Sequence, residues 1–226
     1  MAPVAPRAEN IKQDRLLLLL CLFKGLPIPL LPLDFWHVIL QYSESRQNDI
    51  RAPRDYRVGP ALARQILGDQ SKEKRSEKSL LELRDALKTG STLKESFQSF
   101  VVALRKLDAK YNWVGIYLVQ GGNLQLESWV GEQATEHVTI PLGQGVCGYA
   151  ASSGETVNVP DVNKDHRYLM CFPSTKAELV VPIHGKSRVL GEIDIDSERA
   201  AAFTSLDERF LEEAAKILAG FLERTS

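Results

Sequence analysis

Apolar positions along this chain change period several times, and each change marks an element. Ile11 to Phe23 reads as a short helix stopped by Gly25 and Pro27, and Leu33 to Tyr42 as a second apolar helix. The polar stretch Ser43 to Arg57 reads as a linker, and Ala61 to Leu67 as a short helical turn. The charge-dense run Ser71 to Lys78 is where the pattern places a domain boundary. Beyond it, Leu80, Leu83 and Leu87 share one helical face that ends at Gly90. Thr92 and Glu95 have capping-box spacing ahead of a stripe of Leu93, Phe97, Phe100, Val101, Leu104 and Leu107. Strand spacing then takes over. Trp113 to Val119 and Leu124 to Val130 flank the hairpin turn Gln120-Gly-Gly-Asn123, and His137 to Leu142 makes a third strand. A helix over Val146 to Ala151, a short strand over Thr156 to Val159 and a long loop over Pro160 to Lys176 follow. A hairpin of Glu178 to His184 and Arg188 to Asp196 precedes a last helix from Ser205, with Glu208 in capping-box position. The buried side of that helix carries Phe210, Leu211, Ala214, Leu218, Phe221 and Leu222. Helices, antiparallel strands and a closing helix predict an α+β domain over 71–226, with 1–70 as a helical extension of unassigned role.

Composition narrows the setting. Lys+Arg of 28 against Asp+Glu of 29 gives a net charge of −1 over 226 residues, so no basic stripe points to nucleic acid. The Leu16 to Phe23 run is too short to span a bilayer and is closed by Lys24, and acidic Glu9 and Asp14 precede it, unlike a signal peptide. Cys21, Cys147 and Cys171 are too widely spaced for a disulfide framework or a zinc pattern, so a reducing cytoplasmic setting is expected. Cys21, within leucines, reads as core.

The chemistry gathers between Gly143 and Ser197. Gly143, Gly145 and Gly148 predict a tight strand-to-helix turn, and a helix starting there would place Cys147 near backbone N–H groups that favour a thiolate. A small buried hydrophobe is the plainer account of the same cysteine. Alternation along Val189 to Asp196 puts Ile193 and Ile195 on one face and Glu192, Asp194 and Asp196 on the other. A solvated outer face would explain these carboxylates, but stacked like charges raise one another's pKa and suit a site for a cation or a proton donor. Glu178 stands seven residues after Cys171, and a thiol beside convergent carboxylates suits attack by sulfur with an acid protonating a leaving oxygen.

These residues resemble a known family. Asn112-Trp-Val-Gly-Ile-Tyr117, Ile140-Pro-Leu-Gly-Gln-Gly-Val-Cys-Gly148, Val159-Pro-Asp-Val162, Glu178-Leu-Val-Val-Pro-Ile183 and Leu190-Gly-Glu-Ile-Asp-Ile-Asp-Ser197 resemble GAF domains. The Gly-Val-Cys-Gly element, the spacing of 24 between Cys147 and Cys171 (171 − 147) and Asp-Ile-Asp are more specific to free methionine-(R)-sulfoxide reductases. The resemblance implies a six-stranded antiparallel sheet with flanking helices and a pocket under the long loop. It implies Cys171 as nucleophile, Glu178, Asp194 and Asp196 as pocket carboxylates that hold a substrate ammonium and assist protonation, and Trp113 and Tyr117 as aromatic pocket positions. It implies no bound cofactor, an external thiol donor such as thioredoxin, and admits a homodimer. His137 stands where the family usually has its resolving cysteine, and Phe172 where it usually has Asp, leaving Cys147 as the internal thiol that could resolve a sulfenic acid. The implied activity is thiol-dependent reduction of free L-methionine (R)-S-oxide. The alternative is a non-catalytic GAF module that binds a small molecule or another subunit.

Overall fold

The computed structural model describes residues 60–225, with side chains from Glu73 onward. The expected helices at Ile11–Phe23 and Leu33–Tyr42, and Cys21, lie outside the described residues. Four α-helices and six strands follow in the order α1 (Pro60–Ala86), α2 (Leu93–Arg105), β1 (Trp113–Gln120), β2 (Asn123–Val130), β3 (Thr139–Pro141), α3 (Gly145–Ser153), β4 (Val157–Val159), β5 (Ala177–His184), β6 (Val189–Ser197) and α4 (Ser205–Thr225). The strands form one sheet in the order β3-β2-β1-β6-β5-β4, with every neighbouring pair antiparallel.

The α+β sheet expected from the sequence is therefore present, with three differences. The boundary expected at Ser71–Lys78 falls inside α1, which runs through it unbroken; the compact unit carrying the sheet begins at Gly59. Glu73, Lys74, Arg75, Glu77 and Lys78 are exposed, so this charge run is a solvated helix face made of good helix formers. The last helix is capped by Thr204, not through Glu208. Thr204 Oγ1 accepts from Leu206 N–H at 3.3 Å, and the Thr204 N–H donates to Asp207 Oδ2 at 2.8 Å. The third strand keeps only three residues, because the His137 N–H turns away to Thr135 Oγ1 at 3.1 Å.

Two apolar layers sandwich the sheet. On one side Leu83, Leu87, Phe97, Phe100, Leu104, Leu211, Ala214 and Leu218 pack on Val114, Ile116, Leu179, Val181, Ile193 and Ile195. On the other side α3 and the loop before β5 cover Trp113, Tyr117, Val157, Val159 and Val180. Leu93, placed on the α2 stripe by its spacing, is instead exposed, because it sits at the first turn beyond the reach of the core. The loop is tied down at both ends by Val162 N–H to Lys176 O at 3.0 Å and Ala201 N–H to Pro160 O at 2.8 Å. An Arg167–Asp165 ion pair at 2.6 Å braces its middle.

Thr92 caps α2 through both halves of a capping box: the Glu95 N–H donates to Thr92 Oγ1 at 3.2 Å, and Glu95 Oε2 accepts from the Thr92 N–H at 3.2 Å. Its side chain is exposed, so replacement removes the cap without opening a cavity. Thr92→Ala should lower unfolding free energy by about 1 kcal/mol. Urea titration of the two proteins checks this, and identical midpoints would show that the cap is not a stabilising element.

Candidate functional site

The covered face of the sheet holds the candidate chemistry because strand alternation and register place it there. Trp113 and Tyr117 of β1 lie opposite Asp196 and Glu192 of β6, and Glu178 of β5 lies opposite Asp196. Gly115 pairs with Asp194, and a Cβ on Gly115 would fall 2.4 Å from the Trp113 ring, so only glycine lets the indole lie across the strand. Trp113 then stacks on Trp129 with centroids at 6.2 Å and meets Phe172 of the loop at 5.8 Å.

The carboxylates expected on one face are together but not solvated. Glu178, Glu192, Asp194 and Asp196 are 2%, 0%, 1% and 2% exposed. The solvated outer face is thereby excluded. Glu178 Oε2, both oxygens of Glu192, Asp194 Oδ1 and both oxygens of Asp196 have no hydrogen-bond partner among the described residues. Burial is the main force on these acids, and it favours the neutral form. It pushes Glu192 up to about 8, and pushes Asp194 up to about 8 with help from Glu192. Burial also holds Glu178 and Asp196 well above the usual carboxylate range, with Asp194 adding to both.

The strand-to-helix turn forms as expected from its glycines, though they do different work. Gly143 and Gly145 have φ of 85° and 72°, whereas Gly148 lets the helix approach the Pro141 carbonyl, 2.4 Å from where a Cβ would stand. Cys147 is buried near the start of α3, with Sγ 3.5 Å from Glu178 Oε1. The expectation of a helix-favoured thiolate fails. Burial raises the thiol, and Asp194, Glu192 and Glu178 raise it further, which outweighs a short helix whose N-terminus faces acids. Nor is Cys147 merely an inert hydrophobe, since its sulfur is aimed at the carboxylates.

Cys171 is half-buried on the loop, with Sγ 3.4 Å from Leu169 O. Burial pushes its thiol up, Asp194, Asp196 and Glu178 add to this, and Thr135 opposes it. Both thiols line one cavity of about 10 Å³ with His137, Ile140, Gly145, Val146, Leu169 and Glu178. That is about the room of one water molecule. The His137 ring lies 3.2 Å from Met170 O, so His137 braces the loop carrying Cys171. Tyr117 is buried and its hydroxyl donates to His137 O at 3.0 Å, so it supports the β2–β3 connection from beneath the site.

Four further residues belong to this region without having been singled out as site residues. Glu192 was visible on the carboxylate face, one alternation below Asp194. Thr135 and Thr175, which act on Cys171 and Asp196, carry no signal in their spacing. Tyr168 holds a buried hydroxyl, raised first by burial and then by Asp196, with Thr175 opposing. An aromatic residue in a polar loop was its one available signal.

The raised acids set the pH dependence of stability. A carboxyl whose folded pKa is raised binds its proton more tightly in the native state, so its stabilising effect is complete below about pH 4 and lost as pH rises through about 8. Unfolding free energy should therefore fall from pH 6 to pH 9, and Glu192→Gln should make that fall shallower. Denaturant titrations at both pH values test this; a flat profile in the unmodified protein would mean that the acids are compensated when ionised.

The GAF domain family matches residues 92–222, more than half of the chain. The chain is 41% identical over 120 residues to the free methionine-R-sulfoxide reductase of Saccharomyces cerevisiae, covering 51% of this chain and 66% of that one, just under two thirds. It is similar in structure to the type II free methionine-R-sulfoxide reductase from Thermoplasma acidophilum, with TM-score 0.56 and 39% identity over 63% of this chain and 96% of that one. The free methionine-R-sulfoxide reductase from Neisseria meningitidis, solved in complex with its substrate, matches with TM-score 0.61 and 31% identity over 66% and 88% of the two chains. With a sheet, a glycine turn and a covered carboxylate face of this kind, the chain belongs to the GAF-domain family and is similar within it to the free methionine-R-sulfoxide reductases.

Proposed function

We propose that this protein reduces free L-methionine (R)-S-oxide to methionine, with Cys171 as the nucleophile. The observation that carries the reading is the convergence of Cys171, Cys147 and Glu178 on one cavity backed by Asp194 and Asp196. The relatives named for this reaction, at 31–41% identity, support it.

Buried carboxylates without a cation are held neutral at a cost in ionisation. A substrate ammonium entering among Glu178, Asp194 and Asp196 would offset their charge and let them ionise. The ammonium's positive charge also favours the Cys171 thiolate, which burial chiefly disfavours, so binding would prepare the nucleophile. Attack by Cys171 sulfur transfers the sulfoxide oxygen: the thiol and the sulfoxide become a sulfenic acid and the thioether methionine. A neutral buried acid is the proton source for that oxygen. Two equivalents of an external thiol, or a dithiol such as thioredoxin, return the sulfenic acid to Cys171 thiol with release of water and a disulfide. Cys147 is the internal alternative to the first of these thiols. Trp113, stacked on Trp129 and tilted against Phe172, offers an apolar wall. The closed cavity is far smaller than the substrate, so the loop around Leu169 to Cys171 must move outward for entry.

Methionine formation from racemic free methionine sulfoxide with dithiothreitol tests the reading. Cys171→Ser should abolish it, while Cys21→Ser should leave it nearly intact; equal rates in the unmodified protein and Cys171→Ser would overturn the assignment. Asp194→Asn and Glu178→Gln keep shape and remove charge, and each should lower kcat/KM by roughly tenfold to a hundredfold, the worth of one charge-assisted hydrogen bond. Unchanged kinetics in both variants would remove the carboxylates from the reaction.

A further inference from the structure

We infer that Cys147, Glu178 and Asp194 form a binding site for a thiophilic divalent cation, Zn²⁺ above all, which occupies the closed protein in place of substrate. The ligand atoms of these three buried side chains lie within 4.8 Å of one another. Metal–sulfur and metal–oxygen bonds of about 2.3 Å and 2.0 Å, set at the tetrahedral angle, place the two ligand atoms about 3.5 Å apart. Cys147 Sγ and Glu178 Oε1 are 3.5 Å apart already.

Independent features point to an ion. Glu178 Oε2 and Asp194 Oδ1 are buried without a hydrogen-bond partner among the described residues, although both side chains are at least nine-tenths buried. The adjoining cavity of about 10 Å³, lined by Cys147, Glu178 and Cys171, has room for an ion with at most one water and not for an amino acid. The three ligands come from α3, β5 and β6, each fixed in a packed element, so the set is held in place and need not be assembled from a loop.

The ligand chemistry selects the metal. Mg²⁺ and Ca²⁺ favour oxygen-only sets with several waters, which a thiol and this cavity do not provide. One sulfur and two carboxylates suit Zn²⁺ or Co²⁺ in four-coordination, with the fourth position left to water or another donor at the cavity wall. On binding, the Cys147 S–H bond and the carboxyl O–H bonds of Glu178 and Asp194 break, their protons go to solvent, and the thiolate and carboxylates bond the metal with no change of oxidation state. The same carboxylates that would take a substrate ammonium are then engaged, so metal and substrate exclude each other. That competition rests on the proposed function, whereas the metal site itself does not.

The test uses the reduced, metal-free full chain carrying Cys21→Ser, titrated with Co²⁺ under anaerobic conditions. A sulfur-to-cobalt charge-transfer band should appear, saturate at one Co²⁺ per chain and be displaced by Zn²⁺. Cys147→Ser should abolish the band and Cys171→Ser should keep it. Asp194→Asn, verified as folded by circular dichroism, should weaken Zn²⁺ at least about tenfold in competition with a chelating dye, as loss of even a supporting group does. No charge-transfer band in excess Co²⁺, a band that survives Cys147→Ser, or an unchanged affinity in Asp194→Asn would each overturn the site. Zn²⁺ should raise the KM for the sulfoxide. A protein that binds Co²⁺ through Cys147 but forms no methionine would keep the metal site and reject the reductase reading.

Discussion

Four carboxyl groups and a thiol share a space from which water has been nearly excluded, and the rest of the domain is arranged around that constraint. Desolvation disfavours every charge in the set, and for Cys147, Glu178, Asp194 and Asp196 acidic neighbours disfavour it again. Only a rigid frame can hold like groups so close. The frame is the antiparallel pairing of β6 with β1 and β5, which fixes Glu192, Asp194 and Asp196 on the face that α3 and the loop cover.

The two faces of the sheet divide the work. Ile193 and Ile195, both fully buried, hold β6 against the helices, while Glu192, Asp194 and Asp196, which alternate with them, face the site. A slip of one residue would bring three acids into the helical core, so the apolar face that stabilises the fold also fixes where the chemistry points. The pocket face is finished from outside the sheet. The glycine turn brings α3 down on the carboxylates, and a Cβ at Gly145 would stand 2.8 Å from Leu169 of the loop that carries Cys171. Turn, helix and loop therefore meet in one tight contact, and Val162 and Phe172 of the loop belong to the apolar layer on that side.

A site poised in this way gains its charge only with an occupant. Raised acids and raised thiols are inert partners for one another, and a cation is what changes their balance. The ammonium of the proposed substrate and the inferred thiophilic metal both meet that description. They differ in size, since the closed cavity suits an ion and the amino acid needs an opened loop.

Much of this was legible in the residues themselves. The α+β order, the hairpins, the capping box at Thr92 and Glu95, and the alternation that groups Asp194 and Asp196 follow from local periodicity, which depends on neighbours within a few positions. Gly-Val-Cys-Gly and Asp-Ile-Asp also carried the family resemblance. Local periodicity misplaced the boundary at Ser71–Lys78, because a solvated helix face and a linker have the same charged composition. Whether the acids of β6 faced water or protein could not be read from alternation, which gives a face and not what covers it. That was decided when α3 and the loop over Leu169 to Phe172 closed on the sheet. The same closure turned Cys147 from a helix-activated thiolate into a protonated thiol 3.5 Å from Glu178, since burial among acids is a property of the folded assembly and leaves no mark on the spacing of residues.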